Sequence, residues 1–165
     1  MKNLGILLIT MALALFSYSQ SYNRAIGLKG GNVGGGVIGG AGINYKQFAG
    51  SGTAFEATLG LGDNHFNFQL LFEWQKPLIV SAGLDWYVGL GGTVGAWRTN
   101  WNNSNHDYDE GFYLGGNGVI GLDWNLEKVL GAPIGLALDV GPSIGVINSR
   151  FWGWGGGFAL RYIID

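Results

Sequence analysis

Chemistry that needs a nucleophile, a base and an acid has few places to start in this sequence. The only histidines are His65 and His106, and both fall in segments that read as outer loops between strand-like stretches. Ser104 lies two residues before His106. A serine–histidine pair on a lipid-facing rim would suit a lipid hydrolase or acyltransferase. This pair has no distinguishing spacing, and solvated loop histidines are the simpler reading. Asp107, Asp109 and Glu110 offer oxygen ligands for a divalent cation, such as one bridging lipopolysaccharide phosphates, but lack the complete spacing of a calcium loop. They read as a solvated acidic loop. Gly141-Pro142-Ser143-Ile144-Gly145 has nucleophile-elbow spacing, which requires a sharp strand-to-helix turn. It lies instead within a strand pattern, where Pro142 is expected to mark a bulge or the outer end of the strand. Gly34-x-Gly36-x-x-Gly39 and Gly116-x-Gly118-x-x-Gly121 match dinucleotide spacing, but no helix follows to receive a pyrophosphate. No residue is therefore assigned to catalysis, a cofactor or a metal, and the protein is expected not to be an enzyme.

The charges outside the loops form a more regular set. Lys29, Lys46, Glu56, Glu73, Asp85, Asp123, Asp139 and Arg161 recur on one parity of successive alternating stretches. Alternate residues of a strand point to opposite faces, so these side chains share a face. The opposite parity is apolar. From Gly111 to Leu126 it carries Phe112, Leu114, Ile120, Leu122, Trp124 and Leu126, with Gly116 and Gly118 between them; Val119 is the one residue on the wrong side. From His65 to Lys76 it carries Phe66, Phe68, Leu70, Phe72 and Trp74. A helix would scatter these aromatic residues around its whole circumference and would tolerate the glycines poorly.

Eight such strands are read: Tyr22–Gly30, Gly36–Phe48, Thr53–Gly62, His65–Lys76, Ser81–Trp97, Gly111–Leu126, Pro133–Ile147 and Trp154–Ile164. Most are near or above the ~9–11 residues that a tilted strand needs to cross a bilayer. Their connections alternate between short turns and a set that includes the long polar loop Arg98–Glu110, as in membrane barrels. Aromatic residues collect at two levels. Tyr22, Tyr45, Phe55, Trp74, Trp86, Trp124 and Tyr162 are expected near the periplasmic end, and Phe66, Trp97, Trp101, Phe112, Trp152 and Trp154 near the outer end, as two girdles at headgroup depth. Charges facing lipid are costly, so the charged parity is expected to face inward as an ion-pair network that plugs the barrel, with each base shared between acids. Arg24 shares the apolar parity and is expected to snorkel. A soluble carrier barrel would have the reverse arrangement, greasy inside and polar outside.

Composition narrows the class. The chain has 165 residues, of which 32 are glycine, with no cysteine and a net charge of -2. That excludes disulfide scaffolds, thiolate metal sites and a cysteine nucleophile, and leaves no basic footprint for nucleic acid. Lys2, the apolar run Leu4–Phe16 and the small residues Ser17 and Ser19 form a secretory signal pattern, too short for a spanning helix. Residues 1–19 are expected to be a cleaved signal peptide and residues 20–165 the barrel.

The segments AIGLKGG, INYKQF, FEWQKP, GLDWYVGLGGTVGAW, GLDWNL and FWGWGGGFALRYIID resemble the small outer-membrane β-barrel proteins of Gram-negative bacteria, of the OmpX and OmpA-barrel type. The resemblance spans the mature chain and departs at its close, Tyr162-Ile163-Ile164-Asp165, where such proteins usually end on an aromatic residue. It implies an all-β, eight-stranded antiparallel up-and-down barrel in the bacterial outer membrane, surrounded by lipid and lipopolysaccharide and delivered by the barrel-assembly machinery. It also implies a structural or adhesin-like role, with Arg98–Glu110 as the candidate loop for an extracellular partner. A lipid-modifying hydrolase or acyltransferase, or a small passive pore, are the alternative readings.

Overall fold

In the computed structural model, described for residues 22–32, 39–50, 52–62, 65–98, 101–103, 106–108, 110–148 and 152–164, alternation becomes a closed wall. The strands are β1 (Arg24–Asn32), β2 (Gly39–Gly50), β3 (Thr53–Leu61), β4 (His65–Pro77), β5 (Leu84–Trp97), β6 (Trp101–Asn103), β7 (His106–Tyr108), β8 (Gly111–Asn125), β9 (Ile134–Ile147) and β10 (Gly153–Ile164). A single helical turn, α1 (Glu127–Leu130), bridges β8 and β9. The barrel closes in the order β1-β10-β9-β8-β5-β4-β3-β2, every pair antiparallel and each strand beside its neighbour in sequence. This is the expected up-and-down, eight-stranded, all-β barrel. The small hairpin β6–β7 stands apart from the wall, within the long loop. Neither it nor α1 was expected, because both interrupt segments rich in loop residues.

The register fixes the shape. The ladder runs from Leu84 through Trp124, Leu136, Leu160, Leu28, Ile43, Leu59 and Phe68 and returns to β5 at Val94, ten residues farther along. With strand spacings of ~3.3 Å per residue and ~4.7 Å between strands, that stagger tilts the strands by roughly 40–45°, so each residue climbs ~2.4 Å along the barrel axis and each ladder step ~3 Å.

Pro142 is neither the end of β9 nor its bulge. It pairs with Trp154 of β10, while the β8 ladder skips from Asn117↔Ser143 to Ile120↔Val140. Proline has no N–H to donate, and the gap falls where one is missing. The bulge comes later, at the register shift between Leu114 and Gly115, opposite Ile147 and Gly145.

Many glycines make room for a neighbour rather than turning the chain. A Cβ on Gly121 would lie 2.6 Å from the Tyr87 ring, and one on Gly95 would lie 2.6 Å from the Tyr113 hydroxyl. Val119 is explained in the same way. It points inward against Gly89, its cross-strand partner, where a Cβ would meet its Cγ2 at 2.9 Å.

Candidate functional site: the ion-paired interior and the apolar wall

Inward parity brings Lys29, Lys46, Glu56, Glu73, Asp85, Asp123, Asp139 and Arg161 into the lumen, each buried. Lys29 Nζ lies 2.6 Å from Glu56 Oε1 and 2.6 Å from Asp139 Oδ2. Lys46 Nζ lies 2.7 Å from Glu73 Oε2 and 2.7 Å from Asp123 Oδ2, and donates to Gln75 Oε1 at 2.7 Å. Arg161 reaches Asp123 Oδ2 through Nη1 at 3.4 Å, meets Glu56 through Nη2, and donates from Nε to Asn44 Oδ1 at 2.6 Å. Each base thus lies between two acids. A buried charge is tolerated only when it is paired and its remaining hydrogen-bonding capacity is met. Uncharged neighbours provide part of that, while Glu73 Oε1 and Asp123 Oδ1 have no hydrogen-bond partner among the described residues. Tyr22 donates to Asp123 Oδ2 at 2.7 Å, Tyr87 to Asp139 Oδ2 at 2.8 Å, Gln75 Nε2 to Asp85 Oδ2 at 2.8 Å, and Asn44 Nδ2 to Thr58 Oγ1 at 2.7 Å.

Tyr22, Asn44, Thr58, Gln75 and Tyr87 were not assigned to the network from the sequence. Parity held the signal for four of them: Asn44 alternates with Lys46, Thr58 with Glu56, Gln75 with Glu73 and Tyr87 with Asp85. Asp85 sits directly across the ladder from Asp123. It accepts a hydrogen bond from Gln75 and, alone among the five acids of the set, has no base within ion-pair distance among the described residues.

The interior is graded along the axis. The eight charges occupy the half nearer the chain termini, spread over ~12 Å by the ladder rise. At the termini-side end Tyr22, Ala25, Phe48, Ala54 and Ile163 form an apolar floor on the β1–β3 and β10 side, level with Asp85 and Asp123. Among the described residues no charged side chain points into the far half. Asn117 donates to Thr93 there, and the fully buried Gln69 has no hydrogen-bond partner among the described residues for either amide atom. At the far mouth the Trp97 ring packs against His65 at 5.0 Å and Tyr113 at 5.2 Å, and its indole N–H donates to the Asn148 carbonyl at 3.1 Å.

Three sequence expectations are corrected at these two ends. Tyr22 is not a girdle residue. It precedes β1, turns into the floor and is 4% exposed, drawn in by Asp123 and by an edge-on contact with Phe48 at 5.0 Å. Trp97 is not a girdle residue either, being 2% exposed, because it shares the inward parity of Asp85 and Tyr87. His65 is not a solvated loop residue; it opens β4, where the strand reading His65–Lys76 also begins, and is buried against Trp97.

The outer surface is the inverse of the lumen. Leu28, Leu90, Leu138 and Phe158 are half or more exposed, among many large apolar side chains. On the outward parity of the described barrel strands the only charges are Arg24 and Lys76, both close to the termini-side rim. Tyr45, Phe55, Phe66, Trp74, Phe112, Trp152, Trp154 and Tyr162 face outward and exposed, and Trp86 and Trp124 outward and half-buried. Trp74, Trp86, Trp124 and Tyr162 form one ring and Phe66, Phe112 and Trp154 another, roughly 20–25 Å apart by the ladder rise, against the ~25 Å apolar band of membrane barrels. Tyr45 and Phe55 lie a few residues inside the first ring. The side chains of Trp101, His106 and Asp107 lie outside the described residues, as do Ser104, Asp109 and residues 1–19. Ser143 is buried inside β9 with no helix after it, which removes the nucleophile-elbow reading.

Fold and site together define a class: a closed antiparallel barrel with ion pairs inside and apolar side chains on its outer face. No protein-family model, curated protein or solved structure matches the chain.

Proposed function

We propose that this chain is an integral outer-membrane β-barrel of a Gram-negative bacterium, exported by residues 1–19, with a structural or surface-interaction role. The inversion of the wall supports this most directly. Eight charged side chains are enclosed while Leu28, Leu90, Leu138 and Phe158 are presented outward. In water such an exterior is an aggregation hazard, whereas in lipid it is matched to its solvent. A barrel also satisfies every ladder group without an edge, as a hydrocarbon surrounding requires. The segment Arg98–Glu110 is the contact element for an extracellular partner: it is the longest connection and carries the β6–β7 hairpin, which forms a sheet separate from the barrel.

The deciding experiment is fractionation of cells expressing the full chain, followed by a high-salt wash and electrophoresis of unboiled samples. The protein is expected to stay in the outer-membrane fraction and to migrate as a compact species until heated. Release into the soluble fraction by salt would rule the reading out. The surface role is tested separately by replacing residues 99–109 with a short turn. Barrel assembly is expected to be retained and binding to host or abiotic surfaces lost; unchanged binding would remove this loop from the role.

A further inference from the structure

The apolar surface does not stop at the termini-side ring. Beyond it, the β4–β5 turn presents Ile79 at 105% exposure and Val80 at 87%, and α1 presents Val129 at 49% and Leu130 at 69%. These two turns form one surface. The Asn125 N–H donates to the Gly83 carbonyl at 2.8 Å, and a Cβ on Gly83 would lie 3.1 Å from Lys128 Cβ. Short turns of a membrane barrel normally face water and carry polar residues. Four large aliphatic side chains on adjacent turns are out of place there.

Their position around the barrel is informative. On the β1–β3 side, the wall turns polar at Arg24, Gln47 and Thr53, ~2–5 Å above the level of Leu84 by the ladder rise. On the β5–β9 side it stays apolar down through Leu84 and Ile134, and the turns continue it. The lower edge of the apolar belt is therefore slanted. The charges around this edge are mainly basic: Arg24, Lys76 and Lys128, with Glu127 the one acid among the described residues of the outer rim and α1. A basic rim beside an aliphatic patch matches a leaflet of phosphate-bearing lipid, with hydrocarbon for the patch and phosphates for the cations.

We infer that the β4–β5 turn and α1 are a pair of lipid anchors that dip into the periplasmic leaflet, seating the barrel at a tilt toward its β5–β9 side. This rests on the membrane reading above. The continuity of the patch with the belt favours lipid over a protein partner as its cover.

Spin labels on single-cysteine variants, in full-length protein folded into phosphatidylethanolamine–phosphatidylglycerol vesicles, test it through collision rates with oxygen and with a water-soluble nickel chelate. Ile79→Cys and Leu130→Cys are the anchor probes, Thr53→Cys marks the opposite rim, and Leu138→Cys marks the middle of the wall. Anchor labels that meet oxygen several-fold more often than nickel, with the Thr53 label showing the reverse, are the expected result. Anchor labels open to nickel while the Leu138 label stays in lipid would overturn the anchors and leave the membrane reading standing. Anchor labels shielded from both reagents would also overturn them, by showing a protein cover. A Leu138 label open to nickel would overturn the membrane reading and the anchors with it.

Discussion

Arg161 touches three partners on three other strands, Asn44, Glu56 and Asp123. Removing it leaves two carboxylates that no longer balance their remaining bases, and breaking a buried pair from one side costs about 3–5 kcal/mol. Arg161→Ala is expected to unfold at markedly lower temperature on unboiled gels, and Arg161→Lys to recover only part of the loss because an ammonium cannot fork between partners. An unchanged unfolding temperature for the alanine variant would deny Arg161 a stabilising role. Tyr22 carries a pH signature. Burial, and then the Asp123 carboxylate, hold its hydroxyl protonated well above the ordinary value of 10.0. Above that ordinary value the unfolded chain releases a proton that the folded chain keeps, so stability falls as pH rises. Tyr22→Phe is expected to flatten this alkaline decline relative to the parent, read as unfolding midpoint against pH; parallel curves would exclude the contribution. The eight charges could be placed in the lumen from parity alone. The tyrosine could not, because Tyr22 precedes the strand and no alternation governs it.

At the scale of the element, strand positions were legible because period-two alternation runs through all eight, and the boundaries differ by only a few residues. The partners of individual glycines were not legible, because they depend on register between strands and not on spacing within one. Register makes them unequal. A Cβ on Gly141 would lie 1.9 Å from the Gly118 carbonyl oxygen, whereas one on Gly116 would find nothing nearer than the Gly91 oxygen at 3.9 Å. Gly141→Ala is therefore expected to force β8 and β9 apart beside the gap that Pro142 already leaves, and to lower the yield of compact species in refolding assays. Gly116→Ala, on the outer wall, is expected to refold like the parent. Equal yields would mean that the barrel absorbs the contact by moving backbone. Trp97 shows where reading the elements failed. Nearness to a strand end assigns it to the girdle, whereas the parity it shares with Tyr87 points inward.

For the whole molecule, the expected behaviour follows from a filled lower lumen, an apolar wall and the membrane setting proposed for it. Ion pairs occupy the half nearer the termini and an aromatic cluster the far mouth. Planar-bilayer recordings are expected to show no steady current, and stable, reproducible conductance would contradict a plugged lumen. Leu138→Arg, at mid-wall, is expected to cost about 2–4 kcal/mol of stability in bilayers. A loss near zero would place that face in water. The fold class was legible from the inverted pattern, but the uncharged far half and the slanted rim were not, since both arise only when strands are staggered around a circle. The alternation of faces along each strand also limits how such a chain can change length. A single residue gained or lost within a strand turns every later side chain of that strand through the wall, sending charges onto the apolar outer face and leucines into the lumen. Length can change freely only in the connections, or by two residues at a time within a strand. The register shift beside Gly145 is the permitted exception. It lies near the far mouth of β9, where Val146 and Ile147 are both left outside and no charge follows to be misplaced before the strand ends.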